Sequence, residues 1–222
     1  MRYLWIPARL LFTTYGAVLV ALAAMAIILA VSLGAVEPPS VHKAGSIVKI
    51  IEGKGHGSGV HIGDGFIVTA AHVVGDAKET EIKLDDGATR KAEVLWSNKA
   101  YDIALVRTDA DGLAASHLVC RVPDTGEAIT ARGNPTILEF VDSYGRVAGG
   151  DRKFGPWLSV FVTDITTVPG MSGGGVFDAD GNLVGITVGV LVAPAGGMFP
   201  SLSGFGTAVP GATVCKLMGQ VV

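Results

Sequence analysis

Three short stretches of this chain carry side chains able to do covalent chemistry together. They are Val68-Thr69-Ala70-Ala71-His72-Val73-Val74, Tyr101-Asp102-Ile103-Ala104-Leu105 and Pro169-Gly170-Met171-Ser172-Gly173-Gly174-Gly175. The first puts a His just after a β-like run, the second an Asp at the head of an apolar run, and the third a Ser in a Gly-rich turn leading into another run. A serine hydroxyl is a poor nucleophile at neutral pH and needs an imidazole to take its proton. The imidazole needs a buried carboxylate to fix its tautomer and stabilise the imidazolium. The oxyanion that forms needs backbone N–H donors, and glycine lets the backbone come close without a Cβ in the way. Gly170 and Ser172 would supply those donors, with Pro169 restricting the entry to the turn. Singly, such a His is a structural residue, such an Asp a turn or cap residue, and Gly-Gly-Gly a loop. Together, in the order His, Asp, Ser, they describe acyl transfer: His72 as general base, Asp102 as its orienting carboxylate, Ser172 as nucleophile.

Other chemistries fit poorly. His56 and His61 flank Gly57-Ser58-Gly59, but their spacing matches no zinc pattern and no Cys or carboxylate cluster accompanies them, so no metal and no cofactor are expected. No Gly-Lys-Ser/Thr follows those glycines, and the next element reads as a strand, which argues against a phosphate loop. An α/β-hydrolase elbow sits between strand and helix with its Ser ahead of the acid and the His, the reverse of the order here. Cationic residues are scattered without a basic and aromatic stripe, so nucleic acid is not an expected partner.

The elements that must position these residues lie in a chain of 222 residues that divides sharply. Residues 1–36 hold two charges, Arg2 and Arg9; the other 15 Lys+Arg and all 20 Asp+Glu follow, so residues 37–222 are net −5 against −3 for the whole. That acidic balance excludes a strongly basic nucleic-acid binder. From Leu10 to Val36 run 27 residues without a charge, about 40 Å as a helix against a hydrocarbon core of roughly 30 Å. Arg2 and Arg9 before the run place the N-terminus in the cytoplasm and everything after Val36 outside. The segment 1–36 is therefore expected to be a cytoplasmic stub and transmembrane anchor in contact with the lipid bilayer. The alternative is a cleaved signal peptide, for which Ser32-Leu33-Gly34-Ala35 offers small residues. Residues 37–46, opening with Glu37-Pro38-Pro39-Ser40, read as a polar linker.

Beyond the linker no helical period dominates. Short β-branched runs recur: Ser46–Ile51, Gly59–Ile62, Phe66–Ala70, Glu79–Leu84, Ala92–Trp96, Ile103–Thr108, Ala128–Arg132, Trp157–Val162, Gly174–Phe177 and Leu183–Val192. Turn signals such as Gly63-Asp64-Gly65 and Asp85-Asp86-Gly87 separate them. With 29 glycines in 186 residues, the pattern predicts an all-β sandwich or barrel pair closed by a short helix near 211–217.

The motifs resemble those of trypsin-like (chymotrypsin-fold) serine proteases, and most closely the HtrA/Deg branch. Gly57-Ser58-Gly59-Val60, Gly65-Phe66-Ile67-Val68-Thr69 and His72-Val73-Val74 are similar to that branch's first-barrel pattern. Gly133-Asn134-Pro135 is similar to the opening of its second barrel, and Gly181-Asn182-Leu183-Val184-Gly185-Ile186 to the region after its nucleophile. The resemblance covers about residues 47–217. It implies two six-stranded β-barrels, about 47–118 and 124–210, with the site in the cleft between them. It carries the general base onto His72, the orienting carboxylate onto Asp102, the nucleophile onto Ser172 and the oxyanion-hole donors onto Gly170 and Ser172. It also carries the walls of the specificity pocket onto Thr166, Thr167 and Val168 and onto the strand Ser203, Gly204, Phe205 and Gly206, which would pair with an extended substrate.

Neither wall holds an acid, so a small or medium apolar side chain is expected before the scissile bond; Asp164 is expected to be structural rather than a pocket floor. Met171 stands where digestive members have Asp and HtrA-type members commonly Asn, so no zymogen step through a freed N-terminal ammonium is expected. HtrA-type members usually carry a PDZ domain, and the length here leads us to expect a member of the branch without one. Cys120 and Cys215 fall in the barrel connection and the closing helix, regions that family members do staple; they are either a disulfide or two buried thiols. The expected function is a membrane-tethered, extracytoplasmic (periplasmic or extracellular) serine endopeptidase acting on protein or peptide chains. The alternative is an inactive module of the same fold that binds extended peptides.

Overall fold

The computed structural model describes residues 45–194 and 200–219. The expected anchor at 1–36 and nearly all of the linker at 37–46 lie outside these residues; among those described, no helix is long and apolar enough to cross a membrane.

Twelve strands close into two six-stranded antiparallel barrels. The first comprises β1 (Ile47–Glu52), β2 (Gly55–Gly63), β3 (Phe66–Thr69), β4 (Glu79–Lys83), β5 (Thr89–Asn98) and β6 (Ile103–Arg107), hydrogen-bonded in the order β1-β2-β3-β6-β5-β4 and closed by pairing of β1 with β4. The second comprises β7 (Ala128–Gly133), β8 (Val141–Phe154), β9 (Trp157–Thr163), β10 (Gly175–Phe177), β11 (Leu183–Pro194) and β12 (Pro200–Pro210), closed by pairing of β10 with β7. One helical turn, α1 (Ala71–Val74), follows β3, and a terminal helix, α2 (Gly211–Met218), follows β12.

Period-two alternation explains the inward faces. In β4, Thr80 and Ile82 are buried while Glu79 and Glu81 face water. Val48, Ile50, Ile67, Ile82 and Val106 fill the first barrel; Ile129, Val147, Phe161, Val176 and Val184 fill the second. A third apolar cluster draws Ile47, Val60 and Leu105 from one barrel, Phe177, Ile186 and Val209 from the other, and Val214 and Leu217 from α2. Each barrel thus has its own interior, and the seam between them is as dry as either.

The sequence expectations differ from the structure in one element. β8, 14 residues long, was not among the expected strands. Its sequence, Val141-Asp142-Ser143-Tyr144-Gly145-Arg146-Val147-Ala148-Gly149-Gly150-Asp151-Arg152-Lys153-Phe154, carries three glycines and five charges. Three register shifts against β9 break its alternation, so no period-two signal survives.

The barrels are fastened from both ends. Cys120, in the connection between them, is disulfide-bonded to Cys215 in α2. The first helical N–H groups lack intrahelical acceptors; here Ala212 donates its N–H to the Arg121 carbonyl, 3.0 Å. Arg121 in turn donates to the Glu127 carboxylate (2.8 Å through Nη1) and to Asp178, 3.0 Å. On another face Glu139 of the second half accepts from Lys49 (2.9 Å) and Lys83 (2.7 Å) of the first barrel.

Candidate active site

His72 sits in α1, so its backbone and its ring both turn toward the head of β6. There Asp102, 4% exposed, accepts from the His72 backbone N–H (2.9 Å) with one carboxylate oxygen and from ring Nδ1 (2.7 Å) with the other. A carboxylate can only accept, so Nδ1 carries the proton. Nε2 is left with its lone pair, on a side chain half exposed to the cleft. Asp102 holds φ +57°, a left-handed backbone that Asp and Asn tolerate better than other non-glycine residues.

Ser172 arrives from the turn 169–174, whose carbonyls are tied down almost one by one. The Pro169 carbonyl accepts from Thr136 N–H (2.9 Å), Gly170 from the buried Ser58 hydroxyl (2.8 Å), Met171 from Gly174 N–H (2.9 Å) and Ser172 from Ser58 N–H (2.8 Å). In a trans peptide N–H and C=O point opposite ways. Tying the Pro169 and Met171 carbonyls inward therefore turns the N–H groups of Gly170 and Ser172 outward. Among the described residues these two N–H groups have no acceptor, whereas those of Met171, Gly173 and Gly174 bond to Val168, Thr187 and Met171. Gly170 has φ +95°, and a Cβ there would collide with the Asn134 carbonyl oxygen and approach His56 Nε2 to 2.6 Å; only glycine fits.

Met171 does not disturb this turn. Its side chain is 2% exposed and packs in the second barrel with Ile129, Val147 and Phe161. A long, unbranched side chain suits such a gap, and the turn needs only the Met171 backbone.

His72, Gly170 and Ser172 line one cleft of about 550 Å³. The Ser172 hydroxyl makes no hydrogen bond to the His72 ring, as is common in unliganded sites, where such bonds tighten only around substrate. A second recess of about 520 Å³ lies on the other flank of His72, against Trp157 and Val188. His72 therefore stands between two recesses of one groove.

Of the residues expected to wall the specificity pocket, Thr167 and Val168 line the cleft. Thr166 is exposed, and Ser203, Gly204 and Phe205 are not among the lining residues. The opposing wall is Gly189 and Val190 of β11. Gly206 sits behind Thr167: a Cβ on it would strike the Thr167 hydroxyl. The β11 wall was missed because β11 and β12 are neighbours paired Val190 to Gly206, and only the fold says which of the two faces the groove. Glu52 and His56, on the far side of the cleft, were not expected there either. Asp164 accepts from the Arg146 backbone N–H at 2.5 Å, which explains it without any pocket role. Among the described residues no group of three or more His, Cys, Asp or Glu side chains could hold a metal.

A family model described as trypsin-like peptidase domain matches residues 57–186. A probable periplasmic serine endoprotease DegP-like from Halomonas elongata is 33% identical over 146 residues, covering 64% of this chain and 31% of that protein. Protease Do-like 1, chloroplastic, from Arabidopsis thaliana is 30% identical over 191 residues, covering 79% and 41%. Among solved structures, the HtrA-type protease AlgW with tripeptide superposes with a TM-score of 0.71 at 26% identity, covering 81% of this chain and 61% of that one. The serine endoprotease from Yersinia pestis gives 0.67 at 27% identity, covering 80% and 62%. The chain thus spans about a third to two fifths of the length of these curated relatives.

Proposed function

Because the chain belongs to the trypsin-like peptidase family and to its HtrA-type branch, we propose that it is a serine endopeptidase, held at a membrane by residues 10–36 and working outside the cytoplasm. Ser172 Oγ attacks the scissile carbonyl carbon while His72 Nε2 takes the hydroxyl proton. The negative charge that develops on the carbonyl oxygen is met by the N–H groups of Gly170 and Ser172. Collapse of the tetrahedral intermediate breaks the C–N bond, and His72 gives its proton to the leaving amine. Water then enters, loses a proton to His72 and releases the acyl group from Ser172. Asp102 keeps Nδ1 protonated throughout, so the ring stays aimed at Ser172.

The observation that carries this reading is the pair of unpaired N–H groups at Gly170 and Ser172, in the same cleft as a His72 ring already held by Asp102. A module that merely held extended peptides would have no use for two donors fixed at one point. For the side chain before the scissile bond, the Thr167 hydroxyl against Gly206 and the flank of Val190 favour a small or medium apolar group. The substrate class is protein or peptide chains outside the cytoplasm, and no metal or cofactor enters the chemistry. The membrane tether rests on the uncharged run from Leu10 to Val36.

The test is covalent labelling with a fluorophosphonate. The wild-type protein takes up one label per chain and Ser172→Ala takes up none; a folded wild type that stays unlabelled overturns the reading.

A further inference from the structure

Ser58 and Asn134 lie in motifs the mechanism does not use. Ser58 is fully buried on β2 of the first barrel; Asn134, also fully buried, follows β7 of the second. The Ser58 hydroxyl accepts from the Asn134 backbone N–H (2.9 Å) and from Asn134 Nδ2 (3.0 Å). A hydroxyl has two acceptor positions and one hydrogen. With both acceptor positions filled, its hydrogen has one place to go, the Gly170 carbonyl at 2.8 Å. Asn134 is itself saturated: Nδ2 also reaches the Val48 carbonyl (3.2 Å), Oδ1 accepts from Phe140 N–H (3.0 Å), and its carbonyl oxygen accepts from His56 Nε2 (2.9 Å). No rotamer of either side chain is left free to choose another partner.

The consequence falls on the oxyanion turn. The Gly170 carbonyl belongs to the peptide shared with Met171; with Thr136 N–H tying the Pro169 carbonyl on one side of the Gly170 Cα and Ser58 tying this carbonyl on the other, the glycine is held at φ +95° and its N–H direction with it. The Met171 side chain in the middle of this turn is apolar and buried in the second barrel, so it offers the turn no hydrogen bond. We propose that the Ser58–Asn134 pair is a positioning device of the oxyanion hole in this chain, with Ser58 holding the Gly170 carbonyl and so the backbone conformation that aims the Gly170 N–H. This rests on the reading of Gly170 and Ser172 as oxyanion donors. Because Ser58 and Val48 belong to one barrel and Asn134 and Gly170 to the other, the hole is complete only when the barrels are docked. Ser58 touches neither substrate nor the reacting atoms; it acts through Gly170.

The test compares wild type with Ser58→Ala, counting active sites by the end-point of fluorophosphonate labelling so that any misfolded fraction drops out. Turnover of a peptide substrate is measured with binding of a tripeptide boronic acid, which forms a tetrahedral Ser adduct, and of the matching product carboxylate. A positioning role lowers kcat per labelled site, and boronate affinity with it, by up to about 10²-fold, the lower range for losing one oxyanion donor. KM and product affinity stay within about twofold, since neither senses the oxyanion. Should the alanine methyl prevent folding, Ser58→Gly deletes the same hydroxyl and is read the same way. Unchanged kcat per labelled site, with only a lowered Tm, would show that Ser58 is merely structural and overturn the proposal. A wild type that takes no label speaks instead against the protease reading.

Discussion

Replacing Met171 by Ala separates what holds the second barrel together from what forms the oxyanion hole. The Met171 side chain is 2% exposed and is packed by Ile129, Val147, Phe161 and Val176. Truncation to Ala removes three heavy atoms from this interior, for which the combined loss of transfer energy and packing is about 2–5 kcal/mol. The neighbouring backbone is tied on several sides, through Met171 N–H to Val168 (3.1 Å) and Gly174 N–H to the Met171 carbonyl (2.9 Å). The void therefore cannot collapse easily, which puts the expected cost at about 3–4 kcal/mol. In a domain of this size 1 kcal/mol moves the midpoint by about 2–4 °C, so the variant should melt roughly 6–16 °C below wild type. The hydrogen bonds that turn Gly170 and Ser172 outward, from Thr136 N–H to the Pro169 carbonyl and from Gly174 N–H to the Met171 carbonyl, use no atom of the Met171 side chain, and alanine keeps them. Well below its own midpoint the variant should therefore label with fluorophosphonate at close to the wild-type rate. Thermal melts and labelling kinetics on one preparation decide the matter. A midpoint unchanged within 2 °C (about 1 kcal/mol or less) would refute the packing argument, and a folded variant that labels poorly would show that the Met side chain supports the turn.

Two further predictions concern the fastening at the back of the molecule. The Cys120–Cys215 disulfide closes a loop spanning 95 positions, worth about 4–5 kcal/mol by the chain-entropy relation; reductant or a Cys120→Ser/Cys215→Ser variant should lower the Tm markedly, and identical melts with and without reductant would contradict this. The hydrogen bond from Arg121 holds the Glu127 carboxyl below its ordinary range. Burial pushes Asp178 up, but the Asn182 backbone N–H and Arg121 outweigh that, so its net shift is also downward. Carboxylates depressed in the folded state stabilise it above their unfolded values near pH 4, and lose that contribution as pH falls through the folded values. Arg121→Met should therefore be less stable than wild type near neutral pH, and the deficit should shrink as the pH falls below the ordinary carboxylate range; a deficit independent of pH in thermal melts would exclude a charge effect.

How far the chain could be read before its fold was known depended on the range over which each residue's role is decided. His72, Asp102 and Ser172 could be picked out as candidates because each sits in a local pattern that a triad needs, and the oxyanion turn because it is spelled out within Pro169–Gly174. Of the groove walls, Thr167 and Val168 were expected and line the cleft, but the opposing wall was not foreseen. Gly189 and Val190 owe their place to the register of β11 against β12, and a glycine in a strand announces nothing about which cleft it borders. Ser58 was visible as part of Gly57-Ser58-Gly59, yet its partner lies 76 positions away, beyond any local motif. β8 was lost for the opposite reason: its bulges and glycines erase the very periodicity by which strands are recognised. Met171, which stood out as a departure from the family, proved ordinary once its side chain was seen to be core.

The left-handed backbone of Asp102 bears on how such a domain can change over evolutionary time. At φ +57°, Asn and Gly fit with little strain, whereas most other side chains cost about 1–2 kcal/mol in this conformation. A lineage that abandons hydrolysis but keeps the groove for holding peptides therefore has a cheap exit through Asn or Gly at this position, and a costly one through Ala or Val. Descendants that have traded cleavage for adhesion should carry that signature at position 102 while the two barrels around it stay intact.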